Sequence, residues 1–195
     1  MNSIRTIVAL FAGAAALDAS AASGPAHYRM DPLHTYVSFE APHVKAISYW
    51  RGKFDRTKGG EIVLDRAGKT GTVEVTIDAS SVDVGLEKLN DHIRSKDFLD
   101  VANFPTATYR GTIQFTGDAP TSVNGELTLH GVTKPVTLTI NSLKCTPDMM
   151  LQIERCGADA SGKIDRGDFG VSYAIPATGS DVRLQIQVEG LIETQ

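Results

Sequence analysis

His34 and His43 are the side chains of this chain best suited to moving a proton or holding a metal near neutral pH. Nine positions separate them, and no third ligand stands at a recognisable spacing. No H-E-x-x-H helix occurs either. Hydrogen bonding at a strand turn or at the mouth of a barrel is the simpler role for both. His130 precedes Gly131 and reads as a hairpin residue.

Cys145 and Cys156 are the only cysteines. In a chain bound for an oxidising compartment they favour a disulfide over two free thiols. A metal site is a poorer reading, because no histidine lies close to them in sequence. Arg166-Gly167-Asp168 spells a cell-adhesion tripeptide, but a glycine flanked by charges is ordinary hairpin chemistry. Asp91, Arg94, Lys96, Asp97 and Asp100 alternate in sign at helical spacing, the mark of a solvated face. Ser80-Ser81 lies in no glycine-framed nucleophile elbow, and no phosphate-cradling loop occurs. This inventory predicts no enzyme, no catalytic residue and no metal.

The elements that would position these residues are written in a period of two. Apolar side chains alternate with polar ones in six stretches: Val37 and Phe39; Val73, Val75 and Ile77; Tyr109, Ile113 and Phe115; Leu127 and Leu129; Val136, Leu138 and Ile140; Val182, Leu184, Ile186 and Val188. Each set falls on one face of a β-strand, and the residues between them, such as Glu74, Arg183 and Gln187, face water. Strands are predicted over 28–40, 49–56, 60–65, 71–79, 106–117, 121–130, 134–144, 151–165 and 182–192. Glycine-containing turns lie between several of them. Leu86, Leu89 and Ile93, three and four apart, predict one short amphipathic helix from Leu86 to Asp97.

One helix cannot cover so much apolar sheet, so the sheet must cover itself, as an antiparallel barrel or a two-sheet sandwich. The interior of a closed eight-stranded sheet is either filled by side chains or just wide enough for one slender ligand. Spacing alone favours the filled core. The inward apolar set is nevertheless the best candidate site, with Trp50, Phe54 and Tyr109 as its aromatic contributors.

Arg5, the apolar run from Ile7 to Leu17 and the small residues Ala19-Ser20-Ala21-Ala22 predict a secretory signal peptide over residues 1–21. The run is too short for a membrane span of roughly 20 residues. Residues 22–195 then fit one domain with ample core. The net charge of −4 and the lack of basic runs leave no electrostatic footprint for nucleic acid.

Longer strings carry a resemblance. The chain reads Tyr28-Arg29-Met30-Asp31-Pro32-Leu33-His34-Thr35-Tyr36-Val37-Ser38-Phe39, then His43 and Gly52-Lys53-Phe54. Further on come His92-Ile93-Arg94-Ser95-Lys96-Asp97-Phe98-Leu99-Asp100 and Phe104-Pro105-Thr106-Ala107-Thr108-Tyr109. Last is Gly125-Glu126-Leu127-Thr128-Leu129-His130-Gly131-Val132-Thr133-Lys134-Pro135-Val136. In order and spacing these strings resemble the YceI-like family of secreted bacterial proteins, over essentially all of the expected mature chain. The resemblance implies a lipocalin-like antiparallel barrel of about eight strands. It also implies a polyisoprenoid or isoprenoid-quinone-type lipid held inside, a periplasmic location, and no catalytic residue to transfer. The cysteine pair, in the context Glu154-Arg155-Cys156-Gly157, resembles one subgroup only.

The ligand-contacting set expected on this reading is Val37, Phe39, Trp50, Phe54, Val73, Val75, Ile77, Tyr109, Ile113, Phe115, Leu127, Leu129, Val136, Leu138, Ile140, Leu184, Ile186 and Val188. A transient membrane partner is expected with it, and oligomeric state stays open. The competing readings are a secreted enzyme acting on a lipid or hydroperoxide through His34 or His43, and a structural module with a filled core.

Overall fold

In the computed structural model, residues 24–193 are described. The segment read as a signal peptide, residues 1–21, lies outside them. The strands are β1 (Ala26–Met30), β2 (Tyr36–Pro42), β3 (Tyr49–Phe54), β4 (Thr57–Asp65), β5 (Thr70–Asp78), β6 (Val82–Asp83), β7 (Thr106–Thr116), β8 (Ala119–Leu129), β9 (Val132–Pro147), β10 (Glu154–Asp165) and β11 (Asp181–Ile192). One α-helix, α1 (Glu87–Arg94), sits between β6 and β7. The order β1-β4-β5-β7-β8-β9-β10-β11 closes on itself, because β11 also pairs with β1. Every pairing is antiparallel, so the fold is a closed barrel rather than a sandwich.

The expected first strand, 28–40, is one stave of this barrel broken in the middle. Tyr28–Met30 pair with the end of β11, and Tyr36–Glu40 pair with its beginning. Pro32 has no N–H to give a ladder, and Asp31 rebuilds the lost pairing locally. Its carboxylate accepts the Leu33 N–H at 3.0 Å and lies 2.8 Å from His34 Nδ1. β3 and β4 form a second broken stave: β3 pairs with β2 while β4 pairs with β1.

Local chemistry fixes the register. Leu129 pairs with Val132, leaving the two-residue turn His130-Gly131 with φ of 51° and 75°. Both residues are left-handed, as the hairpin turn that matches strand twist requires. Tyr109 crosses over Gly125, where an added Cβ would lie 2.7 Å from the phenol oxygen. The hydroxyl reaches the carbonyls of Val123 at 3.1 Å and Val136 at 2.9 Å, tying β7 to β8 and β9. Burial pushes this phenol's pKa up to about 12. Between β9 and β10 the register slips, Ala160 facing Ile140 and Asp159 facing Ser142. The bulge reverses the alternation, so Leu143 turns inward although Val136, Leu138 and Ile140 fix the opposite parity upstream.

The helix is shorter than its sequence pattern. Leu86 is its N-cap and is 52% exposed rather than part of the inward stripe, while Leu89 and Ile93 do face inward. Ser95 ends it with extended backbone (φ −70°, ψ 172°) and a hydroxyl that donates to the His92 carbonyl at 2.7 Å.

Candidate functional site

The barrel interior is not filled. A cavity of about 480 Å³ runs along it, walled almost entirely by hydrocarbon. Small-molecule sites span roughly 300 to 1,000 Å³, so this space accommodates a guest rather than a packing defect. Of the residues expected to face inward, all but Phe115 line it. Phe115 is a correction. It lies one residue from the end of β7, where the pairing with β8 shifts register between Gln114 and Phe115, and it packs against the buried core cluster without lining the cavity.

Sequence periodicity missed a second set of lining residues, because strands do not supply them. Leu89 and Ile93 come from α1, Phe98 and Leu99 from the segment after it, and Tyr173, Ala174 and Thr178 from the connection between β10 and β11. Leu89 and Ile93 belonged to the helical stripe, a signal that could have placed them. The irregular connection offers no such signal.

The two ends of the barrel differ. At one end Tyr28 is 2% exposed, and its hydroxyl donates to the Glu154 carboxylate. Arg66 stands 3.2 Å from the same carboxylate and 2.9 Å from Cys145 Sγ. Cys145 and Cys156 face each other in the β9–β10 ladder and are joined as a disulfide. With both sulfurs bonded to one another, the grouping of Cys145, Glu154 and Cys156 offers no thiolate for a metal. At the other end the lining residues reach the surface: Trp50 is 37% exposed and Tyr173 is 45% exposed. His43 stands edge-on to Trp50 with ring centroids 6.0 Å apart, and the Lys45 N–H donates to the Ala177 carbonyl at 2.9 Å. The β2–β3 and β10–β11 connections therefore meet around the mouth.

The two histidines singled out for chemistry are separated by this arrangement. His34 sits in the exposed turn with Asp31, whereas His43 is at the cavity's mouth. His130 Nδ1 lies 3.1 Å from the Phe169 carbonyl, and its ring packs on Phe104 at 4.6 Å. The charged cluster near α1 is a solvated face, with Arg94 held by Glu87 at 2.8 Å and Asp91 at 3.2 Å.

The Arg166-Gly167-Asp168 tripeptide is not a hairpin. It forms a single 3₁₀ turn, Arg166–Phe169, whose first residue is buried. The Arg166 guanidinium donates to the carbonyls of Val171 at 2.6 Å, Tyr173 at 3.0 Å and Gly179 at 3.2 Å, and to Thr178 Oγ1 at 2.8 Å. It also lies 5.7 Å from the Phe98 ring centroid. Burial lowers its pKa from the ordinary arginine value. It fastens the β10–β11 connection over the cavity and contributes to the cavity wall itself.

Residues 28–190 match the family model described as YceI-like domain. The chain belongs to the YceI-like family. Among its YceI-like relatives, the protein YceI of Salmonella newport is 36% identical over 169 residues, covering 85% of this chain and 87% of the relative. A UPF0312 protein of Pseudomonas paraeruginosa is 33% identical over 190 residues, covering 96% and 97%. The barrel is similar to Burkholderia cenocepacia BcnA, with a TM-score of 0.69 at 22% identity over 82% of this chain and 98% of that one. It is also similar to a domain from Saccharophagus degradans described as polyisoprenoid binding, with a TM-score of 0.62 at 18% identity over 85% and 98%. The YceI-like fold is thus shared across low sequence identity.

Proposed function

We propose that the protein is a periplasmic carrier that sequesters a polyisoprenoid or isoprenoid-quinone-type lipid, and that it is not an enzyme. The observation that carries this reading is the hydrocarbon-walled cavity, open at one end and closed at the other. Desolvation is the driving force: at about 0.8 kcal/mol per buried methylene, one five-carbon isoprene unit is worth a few kcal/mol. Affinity then rises with chain length until the cavity is full. Membership of the YceI-like family and the similarity to a polyisoprenoid binding domain support this ligand class over other lipids. The expected leader segment and the cysteine pair support export to an oxidising compartment.

Cargo enters and leaves through the mouth, in contact with a membrane. Among the described residues, seven of the eleven exposed large apolar side chains stand at that end: Val44, Ile47, Tyr49, Trp50, Leu86, Tyr173 and Ile175. Tyrosine and tryptophan suit a bilayer interface, since each combines an apolar body with a polar tip.

The deciding experiment is mass spectrometry of an organic extract of protein purified from its own host. An isoprenoid lipid in stoichiometric amount is the expected result. A lipid-free sample that also fails to take up polyprenols from micelles ends the carrier reading.

A further inference from the structure

Three methionines lie among the described residues, and the fold places them in opposite surroundings. Met30 is 4% exposed and stands in the cavity wall, packed so closely on Gly60 that a Cβ added there would lie 3.1 Å from its sulfur. Met149 and Met150, in the β9–β10 turn at the closed end, are 92% and 90% exposed, the two highest values among the described large apolar side chains. The turn that carries them is built. The Asp148 N–H donates to the Ile153 carbonyl at 2.7 Å, and the Asp148 carboxylate accepts the N–H groups of Met150 at 2.9 Å and Leu151 at 2.8 Å. The Gln152 N–H donates to the Asp148 carbonyl at 3.1 Å, and its side-chain amide donates to the Met149 carbonyl at 3.0 Å. Arg155 fixes Asp148 from below at 2.8 Å. None of these bonds uses a thioether, so the turn holds both sulfurs out in water and depends on neither.

A thioether sulfur is soft and polarisable, and an exposed one takes oxygen from two-electron oxidants to give the polar sulfoxide. We propose that Met149 and Met150 form a paired sulfoxidation site whose substrate is a small hydroperoxide or hypohalous acid. With hydrogen peroxide the O–O bond breaks, one oxygen becomes the sulfoxide oxygen and the other leaves as water. The sulfur gives up two electrons and the peroxide takes them. The modification changes one pole of the molecule. Leu33, Met149, Met150 and Leu151 are the exposed large apolar side chains that do not stand at the mouth, and Arg155 ties their two loops together through Asp31 and Asp148. Two sulfoxides turn this apolar pole polar, at the opposite end from the mouth and away from the cavity wall. The chemistry is therefore independent of what the barrel carries.

The test follows oxygen uptake by the folded protein in hydrogen peroxide, read by peptide mass spectrometry, with free methionine as the reference and denatured protein as the control. Met149 and Met150 should each gain one oxygen at a rate within about threefold of free methionine, and Met30 should react roughly tenfold or more slowly. In denaturant the three rates should converge. Melting temperature should stay at its unoxidised value, while retention on a hydrophobic-interaction column falls. The Met149→Leu, Met150→Leu double variant keeps an apolar pole without sulfur, and its column retention should survive the same treatment. Equal rates for Met30 and the exposed pair in the folded protein overturn the proposal, as do rates for the pair more than about tenfold below free methionine. Column retention that oxidation leaves unchanged, or that falls equally in the double variant, overturns it too, by showing that these two sulfurs do not set the polarity of the pole.

Discussion

Arg155 and Asp31, 124 positions apart in the chain, meet at 2.8 Å on the outside of the barrel. Arg155 also holds Asp148 at 2.8 Å and Glu189 at 3.0 Å. One guanidinium thus connects the broken first stave, the β9–β10 turn and the last strand.

Acid should loosen this junction. Burial opposes the charge on Asp31, but hydrogen bonds from Arg155, His34 and the Leu33 N–H outweigh it and hold its pKa at about 2. The Leu151 N–H, Arg155 and the Met150 N–H likewise hold Asp148 at about 2. A carboxyl depressed on folding contributes stability that is complete above its ordinary value, 3.8 here, and that is lost as pH falls toward the folded value. Melting temperature should therefore be flat near neutrality and fall steeply between about pH 4 and about pH 2. Asp31→Asn should flatten that fall and cost about 1 to 2 kcal/mol at neutral pH. An acid limb unchanged in the variant would show that the network contributes nothing.

The disulfide prediction concerns stability alone. Cys145 and Cys156 are 11 residues apart and already opposed in a ladder. Replacing both by serine should lower stability by up to roughly 3 kcal/mol in denaturant melts and leave the barrel folded. Peptide mapping under non-reducing conditions should recover the linked pair.

Charge placed in the cavity should separate binding from folding. Phe39 lines open space, so Phe39→Asp is expected to stay folded and release lipid. Ile113, 4% exposed and packed beside the closed end, should instead lose several kcal/mol as Ile113→Asp. Ala160→Trp fills the cavity and should displace cargo without unfolding. Glu74→Ala, on the outer face, should leave binding and fold unchanged. Circular dichroism melts beside a lipid-retention assay read all four, and unfolding of Phe39→Asp with no lipid on the wild type would mean a filled core.

The mouth should govern rate rather than affinity. Ile47 is 79% exposed and Val44 is 42% exposed. The double variant Val44→Asp, Ile47→Asp should slow transfer from vesicles at least severalfold while equilibrium binding of detergent-dispersed lipid stays at the wild-type value. Unaltered transfer would place the membrane contact elsewhere.

The barrel was legible in the sequence because one face of each strand is buried, and burial writes itself as alternation at Val73, Val75 and Ile77 or at Leu184, Ile186 and Val188. Whether the interior was full or open was not, since both states ask for the same inward side chains; the family resemblance favoured the open one. Parity arguments also failed where the parity changes. Leu143 follows a bulge, and Phe115 stands at a register shift between β7 and β8. Leu89 and Ile93 were visible as a helical stripe but could not be aimed at the barrel. Arg166 was read as a turn residue because its partners are backbone carbonyls five to thirteen positions away, and carbonyls leave no trace in side-chain identity.

Every ladder joins strands consecutive along the chain except those that β1 and β2 make with β11, β1 makes with β4, β3 makes with β6, and β5 makes with β7 across β6 and α1. The final seam therefore lies between the first and last strands, and it is the slowest contact to find, since almost the whole chain must loop back to make it. Until that seam zips there is no enclosed interior, only a curled sheet with an apolar concave side open to solvent. A nascent chain is thus unable to enclose a guest before its final strand arrives. Loss of β11 as a whole would cost the molecule its inside as well as its stability.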